Sequence, residues 1–497
     1  MAVDAPAHQF FGHPKGLSTL FFVEAWERFT YYGMRALLIL FLTASLATGG
    51  LGMTAEEAGA IYGLFTAGVY LLSLPGGWLA DRLLGHQTAV FLGGLLIALG
   101  NFLLAVPGDT AVFYSGLLVI ALGVGLLKPN VSVMVGELYK NQSPARRDAG
   151  FSLFYFGIYL GAFTAPLVAG TLGETLGYRW GFLAAGVAML LGLAQYRATL
   201  GWLGGIGQRP EAVSATLRRN SMAAIALTAV ALGLLAWSAN RFSFGISDLA
   251  NVLGVAMVAL AVVFFGGIFL YGGLVGAERK HVLVIVALCA CVAVFIAGLE
   301  QAGSTMNLFA RDFTDRSLFG DHFSTGRHPA SWYQSIAPSF VLIMSPLFAW
   351  LWISLGRKGL DPSTPIKFGL SLILLGSSFL VMMLAVKMTV QLGLKASPAW
   401  LISVYFLQTL GELCIGPIGL SGISKLSPRR YAGQMMGMWF LATAVGSLVA
   451  GVAGGAIGSA AVADLPRHFL TMAAIGIATS TVMLLAARPL SRLMRAQ

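Results

Sequence analysis

Residues 17–46 read LSTLFFVEAWERFTYYGMRALLILFLTASL, an apolar run of membrane-spanning length interrupted by EAWERFTYYGMR at residues 24–35. Glu24, Glu27, Arg28, Tyr31 and Arg35 fall at i, i+3, i+4, i+7 and i+11, which puts them on one face of a helix. A charge held at the centre of a bilayer costs at least about 2.5 kcal/mol, so a face carrying four of them must look onto water or onto partner charges. Such a stripe in a membrane helix predicts the handling of polar cargo or of protons.

The rest of the chain belongs to the same solvent. With 57% hydrophobic residues, 10% charged residues and a mean hydropathy of +0.80, the 497 residues depart from the composition of soluble domains, of which about 25% is charged. Apolar runs of about twenty residues recur along the chain and none alternates with period two, so helices rather than a β-barrel are expected to cross the lipid. A net charge of +11 would suggest nucleic acid in a soluble protein. Here the basic residues, among them Lys15, Arg82, Arg146, Arg147, Arg357, Lys358, Lys367 and Arg430, gather in alternate loops and tails. By the positive-inside rule they mark the cytoplasmic side and place both termini there, and no nucleic-acid partner is expected.

Cys289, Cys291 and Cys414 sit in apolar segments and form neither a disulfide framework nor a metal motif. The first apolar run is of full spanning length, so no cleaved signal peptide is expected, nor any appended soluble domain. His8, His13, His86, His281, His322, His328 and His468 all fall in tails, loops or span ends. A membrane metal or haem centre is therefore not expected, and proton handling falls to carboxylates. No phosphate-binding loop is present to hydrolyse ATP.

Fourteen spans are predicted, at 17–46, 55–82, 87–106, 111–138, 149–173, 179–199, 220–240, 249–276, 281–310, 330–356, 365–389, 398–426, 429–457 and 466–489. The seventh and eighth hold no charge and follow the linker GWLGGIGQRPEAVSATLRRN at 201–220, which reads as a hairpin inserted between two six-helix halves. The expected domains are an N-terminal six-helix bundle at 1–200, a linker with the inserted helix pair at 201–279, and a C-terminal six-helix bundle at 280–497. The second span of each half ends in a charged, Gly-bearing turn, GGWLADRLLGHQ at 76–87 and WISLGRKGL at 352–360. Internal pseudo-symmetry of this kind marks a two-bundle transporter.

Four acids, Glu24, Glu27, Glu300 and Glu412, and three bases, Arg28, Arg35 and Lys128, lie well inside predicted spans. Their near balance predicts switchable ion pairs around a central cavity. Lys128 is followed by Pro129 and Asn130; its distance from either end of the span argues against a Lys that snorkels to the interface. Glu300 shares a polar face with Gln301, Ser304 and Asn307, for which a structural interhelical contact is the alternative. Glu412 stands beside Gly411, Gly416 and Pro417, in a segment expected to bend, and Tyr31, Tyr32 and Tyr70 are candidates to line the same cavity.

The pattern ExxERFxYYG is complete at Glu24, Glu27, Arg28, Phe29, Tyr31, Tyr32 and Gly33. With Arg35, Tyr70, the Asp81 turn, Lys128, FYFGIYLGAF at 154–163, Glu300–Gln301, Glu412 and the segment from Gln434 to Trp439, it resembles the proton-dependent oligopeptide transporters (POT) of the major facilitator superfamily. The resemblance implies an all-α membrane protein with a major facilitator fold, two six-helix bundles plus an inserted pair. It implies symport of protons with di- and tripeptides across a plasma membrane by a monomeric unit among lipids; the short chain and compact loops suggest a bacterial inner membrane. It implies no enzymatic activity and no cofactor beyond the coupling protons. Glu24, Glu27, Arg28, Lys128 and Glu300 would couple protons, with Arg35 pairing with Glu300. Arg35 and Lys128 would attract the peptide carboxylate and Glu412 would hold its ammonium, in a pocket completed by Tyr31, Tyr32, Tyr70, Tyr159, Gln301, Asn307 and Trp439. Two positions depart from the family, Tyr159 and Ala337 standing where Asn is usual, and both Asn would ordinarily bind the peptide backbone. The rivals are a transporter of another small solute such as nitrate, which Glu412 would repel, and a channel or sensor without coupled flux.

Overall fold

A computed structural model describes residues 9–208, 245–459 and 462–494. The predicted span at 220–240 and linker residues 209–220 lie outside the described residues. A short hairpin, β1 (Gln9–Phe10) and β2 (His13–Pro14), turns on Phe11 and Gly12 at φ 48° and 78°. Helix α1 (Gly16–Thr43) follows, and then α2 (Ala55–Leu79), α3 (His86–Leu104), α4 (Thr110–Leu138), α5 (Pro144–Ala165) and α6 (Tyr178–Thr199). Beyond the linker come α7 (Ile246–Tyr271), α8 (Gly276–Leu299), α9 (Thr305–Asp312), α10 (Ile336–Arg357), α11 (Thr364–Leu392), α12 (Pro398–Leu426), α13 (Ala432–Ser459), α14 (Leu465–Leu485) and α15 (Ala487–Met494).

Among the described residues twelve helices are long and apolar enough to cross a membrane. Helix α1 has the length, at 28 residues, and is kept out of the twelve by its own charges. The helix starts follow local capping. Thr54 Oγ1 accepts the Glu57 N–H at 3.2 Å while Glu57 Oε2 accepts the Thr54 N–H at 3.1 Å, a reciprocal cap for α2. Asp109 Oδ1 accepts the N–H groups of Ala111 and Val112 at 2.8 and 3.2 Å. The fifth helix begins at Pro144 rather than at the expected 149, because Ser143 caps it and Pro144 suits its first position, so Arg146, Arg147 and Asp148 become helical. The two charged turns singled out in the sequence both close on left-handed glycines, Gly85 at φ 75° and Gly359 at φ 68°.

The helices fall into two compact units. One gathers the described residues of Met1–Leu37 and Gly68–Leu249. In it α3 and α4 approach backbone to backbone: a Cβ at Gly93, Gly100, Gly116 or Gly123 would come within 2.6 to 2.8 Å of a carbonyl oxygen on the other helix. The N-terminal hairpin is tied down in this unit, with Tyr139 Oη 2.7 Å from His13 Nδ1 and Arg146 Nη2 donating to the Gly12 carbonyl at 2.8 Å.

The second unit holds Leu38–Ala67 and Ala250–Gln497, so the C-terminal part of α1 and the N-terminal part of α2 pack with the later helices. Arg311 Nη1 donates to Thr43 Oγ1 at 2.7 Å and Tyr62 Oη donates to the Glu300 carbonyl at 3.1 Å. Helix α7 presents Val255, Val262 and Val263 outward, a lipid-type surface. Its C-terminal carbonyls and the turn beyond are held by Arg279 on Phe269 at 3.2 Å, Arg430 on Gly273 at 2.7 Å and Tyr431 on Gly272 at 3.1 Å.

The loop between α9 and α10 is closed by the pairing of Phe313 and Asp315 with Ala396 and by Arg316 Nη1 donating to the His328 carbonyl at 2.7 Å. The His328 ring, 5% exposed, packs 5.8 Å from Trp332, 5.6 Å from Tyr333 and 6.0 Å from Phe319, centroid to centroid. Burial, with the Arg316 cation acting in the same direction, holds His328 below its ordinary pKa of 6.5. The closed loop then binds fewer protons than the opened one, so closure is favoured above pH 6.5 and weakens as pH falls below it. Hydrogen exchange across 313–335, corrected for intrinsic rate, should therefore accelerate between about pH 7.5 and about pH 5.5 and lose that acid step in His328→Phe. Equal protection of the wild-type loop at both pH values would contradict this account.

Candidate functional site

The charged face of α1 survives folding as a buried cluster. Glu27 is 0% exposed and Arg28 4%, and Glu24, Tyr31 and Arg35 are buried with them. Arg28 grips Glu27 with two donors, Nη2 to Oε1 at 2.6 Å and Nε to Oε2. Its Nε also lies 3.4 Å from Glu24 Oε1, one helical turn back. The two carboxylates are engaged unequally. Both oxygens of Glu27 are taken, whereas Glu24 Oε2 accepts no hydrogen bond among the described residues. Removing one partner of a buried ion pair costs about 3–5 kcal/mol, so this cluster is held tightly unless a proton neutralises part of it.

Helices α2, α4 and α5 of the same unit carry further predicted residues. Lys128 on α4 stands with Nζ 4.8 Å from the Tyr70 ring centroid on α2, and its charge acts on Glu24. The following Asn130 secures the Pro129 region, donating to the Leu126 carbonyl at 2.6 Å and meeting His86 Nδ1 at 2.8 Å. Tyr159 lies on α5, half-buried. Helix α5 reaches α1 at Gly161, where a Cβ would run into the Ala25 carbonyl and come within 3.0 Å of Arg28 Cβ and the Phe29 nitrogen.

The second unit carries the other candidates. Glu300 begins a 3₁₀ turn, Glu300–Gly303, that breaks the span between α8 and α9. Its carbonyl is the acceptor of Tyr62, and nearby Ser304 donates to the Ala450 carbonyl at 3.3 Å. Gln301 is buried, its amide donating to Ala297 at 3.0 Å and accepting from Thr305 at 3.1 Å, and Asn307 is buried one turn further on. Glu412 lies half-buried on α12, and Trp439 on α13 lays its ring against Gly419 of α12. Ala337 offers no side-chain amide, and its carbonyl receives the Thr409 hydroxyl at 3.5 Å.

Three buried or closely packed residues of these helices were not singled out in the sequence. Lys367, counted there as a loop cation, is 7% exposed, with Nζ 2.7 Å from Asp361 Oδ1 and 4.4 Å from the Trp352 ring. Its place just inside a predicted span is the one signal that could have found it. Tyr62 and Gly161 act on backbone in other helices, and no sequence spacing announces such a contact.

The family model described as PTR2, the POT family, matches residues 87–463. The chain is 39% identical over 499 residues to a peptide transporter of Yersinia enterocolitica subsp. palearctica, covering 98% of this chain and 96% of that protein. It is 36% identical over 500 residues to a di-/tripeptide transporter of Lactococcus lactis subsp. cremoris, covering 98% and 97%. A crystal structure of a mutant of the peptide transporter POT in complex with alafosfalin superposes with a TM-score of 0.89 at 36% identity, covering 99% of this chain and 98% of that one.

Gly161→Ala should push α5 away from α1 at Arg28 and lower stability by about 1–3 kcal/mol, the usual cost of overpacking. Thermal unfolding in detergent reads this directly. Gly433→Ala is the control, since a Cβ there meets nothing within 4 Å. A Gly161→Ala protein as stable as the wild type would refute the close approach.

Proposed function

The chain belongs to the POT family of membrane transporters, and from that premise we propose that it carries di- and tripeptides inward together with protons, by alternating access. It works in a bacterial inner membrane, as a monomeric unit, with both termini in the cytoplasm and with protons as the only co-reactant. The observation that carries this reading is the unequal hold of Arg28 on its two carboxylates.

Glu24 is the proton acceptor in this scheme, because one of its oxygens is uncommitted while Glu27 is chelated. A proton on Glu24 leaves Arg28 and Glu27 as a neutral pair and removes a negative charge that acts on Lys128. Lys128, released from that attraction, turns to the carboxylate of the incoming peptide, with Arg35 beside it. Glu412 receives the ammonium, which favours an amino-bearing cargo over nitrate. Protonation of Glu300 releases Arg35 in the same way and completes the switch. Coupling follows only if proton and peptide prefer the same state of the transporter, so that each raises the affinity for the other. The pocket further draws on Tyr31, Tyr32, Tyr70, Tyr159, Gln301, Asn307 and Trp439. With Tyr159 and Ala337 in place of the usual Asn, the peptide backbone is held by fewer amides than in other members.

Uptake of labelled dialanine into proteoliposomes under an inward proton gradient tests the scheme. Accumulation should require the gradient and vanish with a protonophore. Glu24→Gln should lower gradient-driven accumulation by about 5- to 150-fold, the span of ordinary coupling free energies, while dialanine exchange without a gradient continues. Undiminished accumulation in Glu24→Gln removes Glu24 from the coupling group. A folded wild-type protein that takes up no dialanine overturns the peptide assignment.

A further inference from the structure

All three membrane-embedded cations assigned to the site in the first unit lie over tyrosine rings. Arg28 Cζ is 5.1 Å from the Tyr31 ring centroid, Arg35 Cζ is 5.5 Å from that of Tyr32, and Lys128 Nζ is 4.8 Å from that of Tyr70. The first two pairs are local, three residues apart on α1, and their rings brace each other edge to face at 5.4 Å and 89°. The third joins α2 to α4. The second unit repeats the arrangement where buried Lys367 stands 4.4 Å from the Trp352 ring.

A ring face attracts a cation through its quadrupole, and that attraction does not change when a neighbouring carboxylate takes a proton. An ion pair is different, since protonation of the acid abolishes it. Resting on the symport reading above, we propose that Tyr31, Tyr32 and Tyr70 are positioning residues that keep Arg28, Arg35 and Lys128 in place while their carboxylate partners are protonated. The rings hold each cation out of bulk water, and the peptide carboxylate then meets a cation already in position. On this view it is the ring rather than the hydroxyl that matters to coupling. The ionisable groups around the arrangement are Glu24 and Glu27 on α1, Lys128 on α4, and Tyr155 on α5, on which the Glu24 charge acts.

Phe keeps the ring and removes the hydroxyl, whereas Leu removes the ring at similar bulk. Dialanine uptake by Tyr70→Phe and Tyr70→Leu would be measured in proteoliposomes across external pH. Tyr70→Phe is free to change the apparent KM but should keep the wild-type pH midpoint. In Tyr70→Leu the hold of the ring on Lys128 is lost while that of the ionised carboxylate remains, so the midpoint should move toward acid by about one unit, tenfold in proton activity. Tyr32→Phe and Tyr32→Leu repeat the contrast at Arg35 should Tyr70→Leu fail to fold. A Phe variant displaced as far as the Leu variant would show that the hydroxyl acts and overturn the inference, as would a Leu variant with the wild-type midpoint. Wild-type uptake indifferent to pH would overturn the symport reading itself, an outcome separate from the Phe and Leu contrast.

Discussion

A guanidinium taken out of water must have counter-charge within reach of its donors, and Arg28 finds it on its own helix, one residue and four residues back. Because Glu27 and Glu24 are local partners, the cluster is assembled by the winding of α1 and asks nothing of distant chain. Neighbouring structure is then adapted to it. Helix α5 presents Gly161 where any larger residue would press on Arg28, and α4 brings Lys128 to where its charge acts on Glu24. Helix α1 is also the long helix whose apolarity is compromised by its charges, the signature of a segment retained for chemistry instead of for partition into lipid.

The second constraint is that backbone groups inside lipid must be satisfied within the protein. Where α8 gives way to the 3₁₀ turn at Glu300, the released carbonyl is taken by Tyr62 and the adjoining Ser304 is spent on Ala450. The Glu300 carbonyl at this break is thus satisfied within the protein. At the end of α7 and in the turn beyond that span, Arg279, Arg430 and Tyr431 cap backbone carbonyls. These clamps bind α7 to segments of the second unit, so a helix whose composition shows no function has a defined mechanical attachment.

Membership of the POT family gives the charged cluster its context, and the cluster gives the family assignment its chemistry. The unequal engagement of Glu24 and Glu27 distinguishes two acids that are equivalent as letters in a motif. The rings beneath Arg28, Arg35 and Lys128 likewise turn three tyrosines from generic pocket lining into partners of particular cations.

The membrane class, the approximate positions of most spans and the charged face of α1 are legible in the order of residues because they depend on composition and on the local periods of a helix. The start of α5 shows the limit of that reading: charge at Arg146 and Arg147 suggested a loop where Ser143 and Pro144 begin a helix. The seclusion of Lys367, the reach of Tyr62 to the Glu300 carbonyl and the fit of Gly161 against α1 were decided by packing alone. Contacts between helices join residues at separations that carry no period, so the chain states which faces are polar, and only the assembled helices determine which side chain each polar group meets.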